Sequence, residues 1–395
     1  MIKPNPFSFA STPHIHFGSG KRTELVGILS GFGQRVLLVT GGQSFDASPA
    51  CQKLWGELQI HLDIQRVRVK EEPSPCLVDE AVAEYRDFLP DSVLAIGGGS
   101  AVDAAKAIAG LLPLGRSVME YLEGVGKGEP YHGPSTPFVA MPTTAGTGGE
   151  TSKNAVLSVQ GDGGFKKSFR HEKLAARHVI LDPELTLSCP PDVTAACGMD
   201  AMTQLLESYV SSNANPITDA LALSGLKMVR DCLVRAVEQG DDLKARAGML
   251  YAASISGLTL ANAGLGSVHG LASPLGAFFP IPHGVICGTL VFEASGLNIE
   301  IMQLRQPENP ALTKYAEVGR LMTKQVDLND HDARLALIDL LGEWTAHLNM
   351  PRLSGYGVKN TDVARVVTGS RGNSMKTNPI ELSDEEIAVL IRSRL

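Results

Sequence analysis

The sequence contains little cysteine and few aromatic residues. Its 395 residues include six cysteines, none of them in a CxxC pair, and aromatic residues make up 5% of the chain. Scattered cysteines in a chain of this length argue against a disulfide framework and indicate reduced thiols. This composition predicts a cytoplasmic protein.

The sequence also lacks the features that bind nucleic acid or enter a membrane. The formal net charge is −7 and no stretch is rich in Lys or Arg, which argues against nucleic acid and anionic membranes as partners. No apolar run reaches the ~18 residues that a membrane span needs. The first 20 residues contain no continuous apolar segment of the kind found in signal peptides.

Short apolar runs that end at glycine or proline are frequent in the first half of the chain. Runs at residues 35–40, 92–96 and 137–141 predict strands covered on both faces. Three more strands are predicted at 14–17, 63–69 and 179–181. Because helical patterns separate these strands, we predict a parallel α/β sheet within residues 1–187.

The second half has almost no strand pattern. Helices are predicted at residues 192–212, 217–239, 243–263, 265–278, 311–322, 332–348 and 384–394. Since a domain usually has about 100–200 residues, we predict a second, all-α domain at residues 188–395.

The first candidate binding segment is the turn after the strand at 92–96. Gly97, Gly98 and Gly99 leave the backbone open to close approach, Ser100 is a predicted N-cap, and Asp103 follows in the first helical turn. Backbone N–H groups at the start of a helix bind phosphate, so the segment predicts a nucleotide site rather than a plain turn.

An earlier turn contains Gly41, Gly42 and Ser44. NAD sites often place an acid here to hold the ribose 2′-hydroxyl, and Gly41 occupies that place. Without a carboxylate a 2′-phosphate is not repelled, and Ser44 could donate a hydrogen bond to it. The turn therefore favours NADP over NAD, unless it serves only as a turn and the cofactor is selected elsewhere.

A third turn, at residues 143–149, follows another predicted strand. Ligands bind at the carboxyl edge of parallel sheets, so its threonines are candidate cofactor contacts. The candidates in and just beyond this turn are Thr143, Thr144, Thr147, Asn154 and Lys167. For Lys167 an ordinary surface position is an equally good interpretation.

Four further residues could surround a divalent cation. Asp200 and Gln204 are four apart, which places them on one face of a helix, and His269 and His283 follow in a later segment. Each alone is more often a cap or a structural residue. Together they supply a carboxylate, an amide oxygen and two imidazoles, which predicts a metal site.

The segments GGGSAVDAAKAIA, MPTTAGTGGETS, LDPELTLSCPPDVTAACGMDAMTQLLESY and HGLASPLGAFFPIPHG resemble the iron-containing (group III) alcohol dehydrogenases. The resemblance runs from about Phe17 to Pro379. It implies the dehydroquinate synthase-like fold: a Rossmann-like dinucleotide-binding domain, an all-α domain and a site in the cleft between them. It also implies a homodimer and an NAD(P)-dependent interconversion of an alcohol with an aldehyde or ketone.

The family's metal ligands fall on Asp200, Gln204, His269 and His283. Gln204 stands where the family usually has His, and Ser273 stands where many members have another His. A neutral amide oxygen binds Fe²⁺ or Zn²⁺ more weakly than imidazole, so the metal is expected to be weakly held or absent. Ser273 could pass a proton without storing one. If no metal is bound, His269 or His283 could act as the acid.

Three alternatives follow from these departures. The run GSRGNSMK at residues 369–376 resembles the metal-free maleylacetate reductases. A dehydroquinate synthase-type lyase would need Lys and Arg near the metal, and residues 198–208 and 265–284 contain none. A nucleotide-binding module without catalysis is the third alternative.

Overall fold

The computed structural model describes residues 6–395. The first half of the chain forms a six-stranded parallel sheet. The strand order is β1-β8-β5-β4-β2-β3. The sheet strands are β1 His14–Phe17, β2 Arg35–Gly41, β3 Asp63–Val69, β4 Ser92–Gly97, β5 Phe138–Pro142 and β8 His178–Leu181. Apolar side chains bury both faces of the central strands, as the continuous apolar runs predicted.

Helices cover the sheet and then form the second half of the chain. Those around the sheet are α1 Leu25–Ser30, α2 Ser44–Ala47, α3 Pro49–His61, α4 Pro75–Tyr85 and α5 Gly99–Leu111. Those of the second half are α6 Pro191–Val210, α7 Pro216–Glu238, α8 Leu243–Ala263, α9 Ser267–Phe278, α10 His283–Arg305, α11 Pro310–Thr323, α12 Asp330–His347, α13 Val363–Gly369, α14 Asn373–Lys376 and α15 Asp384–Arg392. The predicted fold class is confirmed.

Local sequence signals explain several helix ends. The side chains of Ser48 and Ser74 accept backbone N–H groups at the starts of α3 and α4, each followed by proline. Asn215 forms a capping box at α7, and the predicted cap Ser383 forms one with Glu386 at α15.

One pair of strands and three helices of the second half, α10, α13 and α14, were not predicted from the sequence. An antiparallel hairpin, β6 Asn154–Val159 and β7 Phe165–Arg170, leaves the sheet after β5. Helix α10 was not predicted because its apolar residues show no single face. It is long and apolar enough to cross a membrane by length and composition, contrary to the expectation that no such run exists. However, 72% of that window is buried inside the protein, as in the core helix of a globular domain.

The predicted N-cap at Ser100 was wrong. Helix α5 begins at Gly99, and Gly98 is the cap residue, without a side-chain hydrogen bond. Gly98 takes the extended conformation of a cap (φ −75°, ψ −174°), so Ser100 is already inside the first helical turn. The first N–H groups of α5 therefore have no side-chain cap.

The order in which strands are added to the sheet reverses between β2 and β4. From β2 the chain moves outward to β3 and then returns to form β4 on the other side of β2. Gly41 at the end of β2 thus lies beside Gly97 at the end of β4: a Cβ on Gly97 would be 3.2 Å from the Gly41 nitrogen. Crevices at such switch points are the usual ligand sites of parallel sheets.

The two halves meet through closely packed backbone. Gly148 has φ +60°, and a Cβ there would lie 2.2 Å from the carbonyl oxygen of Ala253 in α8. A Cβ on Gly257 would lie 2.0 Å from the Gly148 carbonyl oxygen. Only glycine fits at this seam, which fixes helix α8 against the turn after β5.

Candidate active site

A cleft of about 1280 Å³ separates the carboxyl edge of the sheet from the helical half. Most of the predicted site residues line it. These are Gly99, Ser100, Asp103, Thr147, Asn154, Lys167, Asp200, Gln204, His269, Ser273 and His283. The other predicted residues lie beside the cleft, at the ends of β2, β4 and β5. These are Gly41, Gly42, Ser44, Gly97, Gly98, Thr143 and Thr144.

The start of α5 forms one wall of the cleft from backbone. A Cβ on Gly98 would lie 3.4 Å from Thr144 Oγ1, and one on Gly99 would lie 3.3 Å from Thr147 Oγ1. The two turns therefore lie within van der Waals contact of each other. Uncapped N–H groups at the positive end of a helix dipole fit the pyrophosphate of a dinucleotide.

Basic residues surround the first turn. In the parallel register Thr40 lies opposite Arg68. Arg66 Nη2 donates to Thr40 Oγ1 over 2.8 Å, and Lys70 is close enough to Gly42 that a Cβ there would lie 3.1 Å from its Cα. Asp46 pairs with both arginines, at 2.8 and 3.3 Å. The turn thus has three cations and one carboxylate around it. The alternation of basic and apolar residues in RVRVK, at residues 66–70, could have indicated these cations from the sequence.

A buried charged group lies beneath the same wall. Lys106 is fully buried and its Nζ donates to the carbonyl oxygens of Gly149 and Asn154, each over 2.6 Å. Burial lowers the pKa of Lys106 to about 8. Burial likewise raises the pKa of Asp103 to about 6 and that of Glu150 to about 7. Through its two hydrogen bonds, Lys106 joins the turn after β5 to the start of the hairpin β6–β7.

The hairpin carries lysines into the cleft. Lys166 Nζ lies 2.9 Å from a carboxylate oxygen of Glu72, and the hydroxyl of Ser273 donates to the Lys166 carbonyl over 2.9 Å. Lys167, from the same strand, also lines the cleft. Residues 198–208 and 265–284 contain no Lys or Arg, which counted against a lyase. The folded site nevertheless contains both lysines of the hairpin. The hairpin supplies the missing cations.

The opposite wall holds a compact group of metal-binding side chains. Asp200, His269, His283 and Cys287 place one donor atom each within 4.8 Å of one another. Asp200 Oδ1 lies 3.2 Å from His269 Nε2 and 3.7 Å from His283 Nε2. Helix α6 provides Asp200, α9 provides His269, and the first and second turns of α10 provide the other two.

Cys287 was missed in the sequence analysis, and Gln204 faces the cluster differently from a ligand oxygen. Gln204 Nε2 lies 3.4 Å from Asp200 Oδ1. Its Oε1 atom is buried without a hydrogen-bond partner in the described part of the chain. The spacing of four between His283 and Cys287, at the start of a helix, was the available signal for the thiol.

Glu207 is the second residue that the sequence analysis missed. Its Oε2 lies 2.7 Å from His269 Nδ1, and its Oε1 accepts the backbone N–H of Val268 over 2.7 Å. A carboxylate on Nδ1 leaves the Nε2 lone pair free for a cation. Asp200, Gln204 and Glu207 follow the spacing of one helix face within an otherwise apolar helix, a pattern that could have identified Glu207.

The electrostatics of this wall favour a cation. Burial opposes the charge of Asp200, but His283 and His269 outweigh it and lower its pKa to about 2. Burial also opposes a charge on His269, yet Cys287, Asp200 and Glu207 raise its pKa well above the ordinary value. Burial lowers the pKa of His283 to about 4. A buried carboxylate with convergent imidazoles fits a divalent cation.

Sequence comparison identifies the family. Residues 12–183 match "Iron-containing alcohol dehydrogenase" and residues 194–395 match "Fe-containing alcohol dehydrogenase family, C-terminal". Alcohol dehydrogenase 4 of Saccharomyces cerevisiae is 30% identical over 391 residues, 97% of each chain. The probable alcohol dehydrogenase EutG of Salmonella typhimurium is 36% identical over 68% of this chain and 65% of its own length.

A solved structure has the same fold over nearly its whole length. The sulfoacetaldehyde reductase of Bifidobacterium kashiwanohense, in complex with NAD⁺, superposes with a TM-score of 0.85 at 26% identity, covering 99% of both chains. The chain therefore belongs to the iron-containing alcohol dehydrogenase family, and the predicted oxidoreductase class is confirmed.

Proposed function

We propose that the protein interconverts an alcohol with an aldehyde or ketone, using NAD(P) and one divalent metal ion. The cluster of buried donors on α6, α9 and α10 carries this proposal, because it faces the glycine-built wall across one cleft. In this proposal residues 1–187 bind the dinucleotide, and residues 188–395 bind the metal and the substrate. The finer assignments below rest on the same arrangement.

The chemistry divides between the cofactors and the chain. When bound, the metal would polarise the substrate oxygen and the nicotinamide would supply or accept the hydride. Asp200, His269 and His283 would hold the ion, and Glu207 would keep the His269 ring turned toward it through the 2.7 Å contact. Ser273 remains a candidate proton relay, and to act as one it must release the carbonyl of Lys166.

We propose NADP as the preferred cofactor. Gly41 leaves no carboxylate to repel a 2′-phosphate, and Ser44, Arg66, Arg68 and Lys70 could pair with one. Asp46 offsets part of this positive charge. The cofactor contacts predicted along the turns of β4 and β5, together with Asn154 and Lys167, would follow the rest of the dinucleotide.

The replacement Gly41→Asp tests cofactor choice. It should lower kcat/KM for NADPH by about tenfold or more, because the carboxylate repels the 2′-phosphate and costs on the order of 1–2 kcal/mol. The value for NADH should fall much less or rise. Steady-state kinetics with both cofactors measure the ratio, and Gly56→Asp, on a helix with no atom near its Cβ position, is the control. An unchanged ratio would contradict the assignment.

The alternative of a metal-free reductase is favoured by one observation, the amide of Gln204 at a family His position. Turnover of NADPH with short aldehydes and with maleylacetate, before and after chelator treatment, separates the two. Activity that a chelator removes and a divalent ion restores supports the metal enzyme. Activity toward maleylacetate that resists the chelator supports the alternative.

We further propose a cytoplasmic homodimer. All six cysteines are free thiols, in keeping with a reducing compartment. Strand β1 lies at one edge of the sheet, where Ile15 and Phe17 are each 41% exposed. An exposed edge strand with apolar side chains can pair with its copy across a two-fold axis.

A further inference from the structure

We propose that the thiolate of Cys287 is a metal ligand and completes the site together with Asp200, His269 and His283. This inference rests on the proposed function, because it concerns the ion that the proposed reaction uses. It moves the fourth ligand from Gln204, on α6, to a side chain on α10. It also changes the metal that the site should prefer.

The distances match a tetrahedral site. Bonds of about 2.0–2.2 Å to nitrogen or oxygen and about 2.3 Å to sulfur give donor–donor distances of roughly 3.3–3.6 Å in a tetrahedron. Cys287 Sγ lies 3.5 Å from His269 Nε2 and 3.8 Å from His283 Nε2. The two Asp200–imidazole distances are 3.2 and 3.7 Å. These four of the six edges are within a few tenths of an ångström of a zinc-like tetrahedron, and all four donor atoms lie within 4.8 Å of one another.

Helix geometry holds the thiol in this position. Cys287 lies one helical turn after His283, and its side chain is fully buried. A Cβ on the next residue, Gly288, would lie 2.6 Å from the Met350 sulfur and 3.0 Å from Met199 Cβ. Helix α10 is thus packed tightly against α6 beside the thiol, and Cys287 and Asp200 face the same small volume.

Gln204 is the weaker candidate for the fourth place. Its NH₂ group lies 3.4 Å from the Asp200 oxygen, and a neutral amide oxygen binds Zn²⁺ more weakly than a thiolate does. Its Oε1 atom is buried without a hydrogen-bond partner among the residues that the structure describes. A buried acceptor of this kind fits a bound water or ligand beside the cluster. With the thiol as ligand, the amide can hold Asp200 in place and leave its oxygen for a bound ligand.

The chemistry balances without an oxidant. On binding, the S–H bond of Cys287 breaks, a sulfur–metal bond forms and one proton leaves to solvent. One thiolate and one carboxylate then neutralise the charge of a divalent ion. Thiolate ligands favour Zn²⁺ over Fe²⁺, so zinc is the expected ion in this chain.

The test is the coordination shell of the purified protein. Zinc-loaded protein, prepared without a metal-affinity resin, should show one sulfur at about 2.3 Å by X-ray absorption. Cobalt-loaded protein should show a thiolate-to-cobalt charge-transfer band in the near ultraviolet. Cys287→Ser and Cys287→Ala should each remove the band and weaken Zn²⁺ binding by about tenfold or more. Circular dichroism checks that both variants fold.

Two control variants separate the possible ligands. Cys197→Ser changes another thiol that lines the cleft, on the same helix as Asp200, and should keep the band. Gln204→Ala should also keep it. Stoichiometric zinc without a sulfur neighbour would overturn this inference and leave the proposed function intact. Protein that binds neither ion yet reduces aldehydes with NADPH would overturn the metal in both proposals.

Discussion

The two walls of the cleft are built by opposite means. The sheet wall uses backbone: the first N–H groups of α5 have no side-chain cap, and Gly98 and Gly99 lie against the threonine side chains of the turn after β5. The helical wall uses side chains: Asp200, His269 and Cys287 project from three long helices into one buried volume. The sheet wall joins turns that follow separate strands, and the helical wall joins side chains that are almost 90 positions apart.

This difference explains how each wall tolerates change. A backbone wall depends on shape, so added atoms damage it while most side-chain chemistry does not. A side-chain wall depends on donor identity, so a substitution such as His to Gln can be offset by another donor that the fold brings near. The proposed ligation by Cys287 is a case of this kind: Gln204 lies one turn from Asp200 on α6, and Cys287 lies one turn from His283 on α10.

The largest expected effect comes from removing a donor of the helical wall. His269→Ala should lower kcat/KM by roughly 10³-fold or more, because it removes a metal ligand and takes one imidazole partner from each of the buried carboxylates Asp200 and Glu207. Bound metal, measured by plasma mass spectrometry, should fall with it. The control is His331→Ala, on the exposed side of α12. Full metal content in the inactive variant would show that His269 acts as an acid and not as a ligand.

The seam between the walls should be sensitive to a single methyl group. Gly257→Ala places a Cβ 2.0 Å from the Gly148 carbonyl oxygen, and such overpacking should lower the free energy of unfolding by about 3 kcal/mol. Denaturant unfolding measures the change. Gly296→Ala, in the middle of α10 with no atom within 4 Å of its Cβ position, should be neutral or slightly stabilising. Equal effects in the two variants would show that close packing at the seam is unimportant.

A smaller effect should come from the buried acid beneath the sheet wall. Burial raises the pKa of Glu150 to about 7, so the folded protein keeps a proton that the unfolded chain loses near pH 4.5. Stability from this group is therefore lost as pH rises from about 4.5 to 7. Glu150→Gln should be more stable than the natural protein by roughly 2–3 kcal/mol at pH 8 and nearly equal to it at pH 4.5.

Unfolding in denaturant at the two pH values tests this sign. Glu343→Gln, an exposed glutamate on α12, controls for the loss of one negative charge and should show no such pH dependence. If Glu150→Gln is less stable at pH 8, the carboxylate is ionised and stabilised in the folded protein, and the prediction is wrong.

Most of the sheet wall could be predicted from the sequence, but only part of the helical wall. Continuous apolar runs located β2, β4 and β5 to within one residue at each end, because buried parallel strands leave a continuous hydrophobic signal. The hairpin was missed, since its half-polar strands Asn154–Val159 and Phe165–Arg170 have no such signal. Without the hairpin, its lysines could not be placed near the metal site. Ser100 was predicted as the N-cap of α5, but Gly98 is the cap residue.

By itself the sequence determined the fold class, the family and three of the four side chains in the donor cluster. These depend on local order: periodicity, glycine turns and residues one helical turn apart. The tertiary structure alone decided that Cys287 joins the cluster, that Glu207 orients His269, and that Lys166 reaches Glu72. Such contacts join elements far apart in the chain, and only the packing of helices and hairpin fixes the distances between them.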